Sequence, residues 1–119
     1  MTGTQAERKI VSMATIDDFA KLELKVITVL EAVRMEGSDK LLKLTVDDGE
    51  SKRQILSGIG KSYSPEDIIG KQLVAITNLE PRTMMGEESQ GMILATGDDL
   101  ENITLIQPIK EVPAGSTLR

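Results

Sequence analysis

The sequence predicts an all-β fold: a small barrel of five strands, with one short helix between the third and fourth. Three observations carry this. Apolar and polar residues alternate from Lys21 to Val33, the period of a half-buried strand. Turn-forming clusters, Met35–Lys40 and Asp47–Glu50, then separate short runs rich in Leu, Val and Ile. The best-punctuated helical turn is Ser64–Gly70, too short to support a helical bundle.

Taken in order, residues 1–13 suit a helix with a thin apolar stripe of Ile10, Val11 and Met13. Thr15, with Asp18 three residues on, resembles a capping pair opening a short turn through Phe19 and Ala20. In the first strand Leu22, Leu24, Val26, Thr28 and Leu30 form the expected inward face. "LLKLTV" is the second strand, "DDGE" a hairpin connection with an Asp-Gly turn, and "KRQILSGI" the third strand. Ser64 caps the helical turn, Pro65 takes its first position, Glu66 and Asp67 meet the positive end of its dipole, and Gly70 ends it. "QLVAITNL" and "GMILAT" supply strands four and five, and "NITLIQP" a further strand within an extension. Five strands with a helix after the third is the plan of an OB-fold. A generic small β-barrel has the same pattern, so strand order alone does not choose between them.

Composition excludes several kinds of chemistry. The 119 residues are one domain's worth, and Phe19 and Tyr63 are the only aromatics, so Ile, Leu, Val and Met must fill the core. Cysteine and histidine are absent, which removes disulfides, thiolate metal sites, Cys nucleophiles and imidazole proton transfer. No acid, base or nucleophile constellation is visible, so no catalytic residue, metal or cofactor is expected. Paired acids such as Asp17-Asp18 and Glu87-Glu88 sit where turns or caps are expected, without EF-hand spacing. "GIGKSY" imitates a phosphate-binding loop, but Ile55 stands where the first glycine of that motif belongs. The N-terminus lacks the apolar core of a signal peptide and no run is long enough to span a bilayer, so a cytoplasmic protein is expected. Net charge is −5, concentrated after residue 82, while residues 39–82 balance to zero. That argues against a nonspecific nucleic-acid coat and leaves room for a local basic face.

Individual residues read two ways. Lys40 and Lys43, and Lys52-Arg53, are either solubilising or binding groups. Met84, Met85 and Met92 are either core filler or an adaptable apolar lining. Arg82, following Pro81, stands at a rigid corner suited to holding phosphate, or is a solvent-facing loop residue.

The ordered set Phe19-x-Lys-Leu-x-Leu-x-Val26, Asp39-Lys40-Leu41, Arg53-Gln54-Ile55, Ser57-Gly58-Ile59, Tyr63-Ser64-Pro65-Glu66, Asn78-Leu79-x-Pro81-Arg82 and Ser89-Gln90-Gly91-Met92 resembles one family. This is the tRNA-binding domain found at the C-terminus of many methionyl-tRNA synthetases, as a free-standing protein, and in cofactors of multi-synthetase complexes. The resemblance implies an OB-fold that binds tRNA by shape, as a homodimer or beside a methionyl-tRNA synthetase catalytic chain. It implies an N-terminal helical segment at 1–18, a tRNA-binding barrel at 19–97, and a C-terminal extension at 98–119 that contributes a dimer contact. Lys40, Asn78, Arg82, Ser89, Gln90 and Met92 match the family's binding motif, with Lys43, Arg53 and Lys61 as further basic candidates. Lys40 and Arg82 would pair phosphates, Asn78, Ser89 and Gln90 would reach sugar hydroxyls or base edges, and Met92 would pack beneath a base. Two departures stand out: Met35-Glu36-Gly37-Ser38 replaces a His-Pro turn, and Glu80, Thr83 and Met85 replace basic residues around the Pro-Arg corner. The alternative function on the same fold is a chaperone-like or protein-interaction module.

Overall fold

The computed structural model describes residues 12–119. The helix expected over 1–13 therefore lies outside the described residues, apart from Ser12 and Met13. Helix α1 (Ile16–Ala20) begins with the expected capping box: Thr15 Oγ1 accepts from the Asp18 amide, and Asp18 Oδ2 accepts from the Thr15 amide. None of its residues is buried.

One curled sheet holds the fold together. Strands β1 (Leu24–Arg34), β2 (Leu42–Asp47), β3 (Lys52–Ser57), β4 (Gln72–Ile76) and β7 (Met92–Ile93) lie in the order β3-β2-β1-β4-β7, with every pair antiparallel. The β2–β3 connection is the predicted Asp-Gly turn, with Gly49 at φ 95°. Helix α2 (Pro65–Ile68) starts where expected, and the Ser64 amide donates to Asp67 Oδ2 at 3.1 Å. Its Ile68 is driven into the core.

The first strand departs from simple alternation. Ile27, Val29 and Ala32 enter the main core with Leu42, Leu44, Val46, Ile55 and Leu73, whereas Leu22 and Leu30 are exposed. A register shift between Val29 and Glu31 exchanges the faces partway along β1, as a bulge does. The expected inward residues Leu24 and Val26 are buried on the opposite face, where Leu24 packs with Val74, Ile76, Leu94 and Leu118. Each fully buried Ile or Leu contributes about 1.5–3 kcal/mol, so burial on both faces stabilises this short strand set considerably.

The fifth predicted strand is divided. "GMILAT" forms β7 and then β8 (Ala95–Thr96), which pairs with β9 (Thr104–Leu105), the further strand of the extension. Beyond the expected Pro81-Arg82 corner lies a hairpin that the sequence reading did not include: β5 (Arg82–Met84) against β6 (Glu87–Ser89). Its two-residue turn places Met85 at φ 52° and Gly86 at φ 80°, the positive values such turns need to match strand twist. The chain end returns to β1: Gly115 and Leu118 amides donate to the Val26 and Leu24 carbonyls, and the Val26 amide donates to Ser116.

Candidate nucleic-acid interface

Two loops at the open end of the barrel meet over the outer face of β2 and β3. One is the β1–β2 connection, residues 35–41, and the other is the β5–β6 hairpin. A small apolar cluster of Met35, Leu41 and Leu56 receives Met84 from the hairpin. At the hairpin tip Met85 lies over Gly37, where a Cβ would come within 3.3 Å of Met85 Cε. Polar contacts add to this. Lys43 Nζ lies 3.4 Å from Glu87 Oε2, and Gln54 Nε2 donates to Glu87 Oε1 and to the Glu88 carbonyl.

The hairpin base closes the barrel. Strand β3 is the sheet edge, so its outward amides and carbonyls need partners. The segment after β6 provides them: Ser89 Oγ accepts from the Leu56 amide at 3.0 Å, and Gln90 exchanges two bonds with the Gln54 backbone, one through its Oε1. Ser89 also donates to the Gly91 carbonyl, and is only 3% exposed. On the other side, Asn78 Nδ2 donates to the Lys21 carbonyl while its Oδ1 accepts from the Glu23 amide. Arg53 links both ends of the segment. Its Nη1 donates to the Thr77 and Gln90 carbonyls at 2.9 and 2.8 Å, and its Nε donates to Asp48 at 2.9 Å.

Asp48, 2% exposed, sits in the β2–β3 turn. Burial raises its carboxyl pKa, but the Glu50 and Ser51 amides and Arg53 outweigh burial and hold it below the ordinary value.

The nine residues singled out from the sequence thus fall into three groups. Among the described residues the side chains of Lys40 and Arg82 make no hydrogen bond or ion pair, and Met92 is 46% exposed. Lys43 and Lys61 are held in partly exposed ion pairs, Lys61 with Asp39 and Glu101. Arg53, Asn78, Ser89 and Gln90 spend side-chain polar atoms on the chain itself. These side chains are turned onto backbone groups that would otherwise lack partners, Ser89 in a buried position and Asn78 and Gln90 at the surface.

Arg82, Met84 and Ser89 share one face of the hairpin, since Arg82 lies opposite Ser89 in register. With Leu56, Leu79, Glu80, Gly91 and Met92 they line a mostly apolar cleft of about 80 Å³ that carries one guanidinium and one carboxylate. A wider groove of about 410 Å³ is lined by Val33, Arg34, Met35, Glu36, Lys43, Met85 and Glu87, two cations against two carboxylates. Such a surface can neutralise phosphate at its rim and pack a flat ring against thioethers. Sequence reasoning missed Arg34, whose Nη1 donates to the Asp39 and Gly60 carbonyls and fixes the loop bearing Lys40. It also missed Glu87 and Asp48, which looked like ordinary turn acids. The five-residue step from Asp48 to Arg53 across a tight hairpin was the available signal.

Residues 24–117 match the family model described as "Putative tRNA binding domain". The chain belongs to the tRNA-binding domain family. It is homologous to the C-terminal domain of methionine–tRNA ligases. It is 53% identical to that of Methanococcus aeolicus over 103 residues, 87% of this chain and 15% of the ligase. For Caldanaerobacter subterraneus subsp. tengcongensis the identity is 44%, over 96% of this chain and 18% of the ligase. This tRNA-binding domain therefore spans under a fifth of the length of these relatives. Among solved structures it resembles a MetRS-related protein from Pyrococcus horikoshii (34% identity, TM-score 0.85), covering 91% of this chain and 99% of that one. It also resembles the chaperone CsaA from Bacillus anthracis (34% identity, TM-score 0.84), covering 91% and 100%.

Proposed function

We propose that this chain captures tRNA by shape, on the surface formed by the 35–41 loop and the β5–β6 hairpin. It acts in trans or as the C-terminal part of a methionyl-tRNA synthetase, in the cytoplasm, with no catalytic step of its own. The observation that carries this reading is the cleft shared by the exposed Met92 and by Arg82, whose guanidinium has no partner among the described residues. Arg82 and Lys40 pair phosphates, Met92 lies under a base, and Lys43 and Lys61 add weaker, partly neutralised attraction. Asn78, Ser89, Gln90 and Arg53 shape the surface from within.

With net charge −5 and almost no aromatic residues to stack on bases, one barrel binds weakly. A homodimer, with residues 98–119 contributing to its contact, presents two such surfaces to one tRNA and recovers affinity through multivalency. Titration with unfractionated tRNA at low and physiological salt, with mass followed by light scattering, tests this. The expected result is a dimer whose log affinity falls with log salt by about 0.7–0.9 per neutralised phosphate. Salt-independent association, or none, overturns it.

The second reading, a chaperone-like module, is favoured by the similarity to CsaA and by the exposed Leu79, Met85 and Met92. Arg82→Ala separates the two, because it weakens RNA binding and leaves capture of an apolar peptide unchanged.

A further inference from the structure

Arg53 is the only one of the candidate cations bound to both ends of the segment that carries the hairpin. The carbonyls it joins belong to Thr77, the residue before that segment, and Gln90, the residue after β6. The same guanidinium is held from behind by Asp48, whose Oδ1 is already engaged by the Glu50 and Ser51 amides in the β2–β3 turn. A planar fork with donors in fixed directions can serve three acceptors at once, which a lysine ammonium on a flexible stem cannot do in this geometry.

We propose that Arg53 is a positioning residue: it clasps the base of the β5–β6 hairpin so that Arg82 and Met84 are presented at a fixed place beside Met92, and it does not itself contact phosphate. The proposal rests on the tRNA-binding reading and deepens it. Asp48 is the second half of the clasp. Because β6 ends within two residues of the Gln90 carbonyl, freeing that carbonyl loosens the strand opposite Arg82. The preorganisation of the RNA surface is lost with it.

Two variants separate positioning from contact. Arg53→Lys keeps the charge and loses the fork. Asp48→Asn leaves the Arg53 charge intact and removes the acid that competes with phosphate for it. If Arg53 positions the hairpin, both variants weaken tRNA binding, by about tenfold for loss of a charge-assisted hydrogen bond. In the unbound full-length chain, both also accelerate amide exchange at Arg82 and Ser89, the hydrogen-bonded pair nearest the hairpin base, while exchange in β1 and β2 stays slow. The Arg53→Lys effect shrinks by at least half in an Arg82→Ala background, because it acts through Arg82. If Arg53 instead contacts phosphate, Asp48→Asn binds as tightly as the parent or more so, Arg53→Lys stays close to the parent, and hairpin exchange is unchanged; that result overturns the proposal. Should the parent chain bind no tRNA at any salt, the tRNA reading fails. Exchange at Arg82 and Ser89 then decides the clasp alone, unchanged rates overturning it and faster rates upholding it.

Discussion

Lys43 Nζ lies 3.4 Å from Glu87 Oε2, so the cation of β2 nearest the hairpin is already neutralised by the hairpin itself. A phosphate at this position must compete with a carboxylate that is part of the fold. The ion pair is partly exposed, and such pairs contribute at most about 1 kcal/mol. Glu87→Gln therefore costs little stability and releases Lys43. tRNA affinity at low salt should rise by about two- to fivefold, and fluorescence anisotropy across a salt series would detect it. Weaker binding would mean that Glu87 matters more for holding the hairpin, through Gln54, than for masking Lys43.

Arg82 should behave in the opposite way. Its side chain makes no hydrogen bond or ion pair among the described residues, so Arg82→Ala should move the unfolding free energy by no more than about 0.5 kcal/mol. The same change should weaken tRNA binding by about 1–3 kcal/mol and lower the salt slope by about 0.7–0.9. Urea denaturation and the salt titration check the two halves separately.

Ser89 is the structural counterpart. Its hydroxyl is the partner of the Leu56 amide at the edge of β3, in a buried position. Ser89→Ala leaves that donor unpaired and should destabilise the fold by about 1–3 kcal/mol. Denaturant midpoints measure this, and any loss of tRNA binding should recover where stabilising osmolyte restores the folded population.

Asp48 predicts an acid limb. Its folded pKa lies below the ordinary value of 3.8, so its contribution is fully present above that pH and is lost as pH falls through the lower folded value. Asp48→Asn should be less stable than the parent near neutrality, and the difference should narrow as acid protonates the parent's carboxyl. Thermal unfolding from neutral pH down to about pH 2 reads both trends.

How far the molecule was legible in the sequence depends on the range of the interactions involved. The Thr15–Asp18 cap, the Asp-Gly turn and the Ser64-Pro65 helix start are set by neighbours within a few residues, and all three appear as read. The facing of β1 was not legible, because one bulge near Leu30 transfers the core from one face to the other without a local mark. The hairpin escaped notice because Met85, rather than Asn or Asp, occupies a positive-φ turn position. For the site, residue type alone could not separate Arg82 from Arg53. One is free and the other bound because of where Thr77, Gln90 and Asp48 end up, contacts spanning up to 37 residues of chain.

The returning chain end carries a practical consequence. Residues 115–118 occupy the amide and carbonyls of Val26 and Leu24 along the margin of β1 that β2 does not reach. A chain cut after residue 111 would bare that margin, and Leu118 would no longer cover Leu24 and Val74. Bare strand margins recruit strands from other molecules, so the shortened chain should precipitate or form ladders at concentrations where the intact one stays clear. Residues 115–118 thus guard this strand margin against edge-to-edge pairing, and any shortened or tagged version should leave them in place.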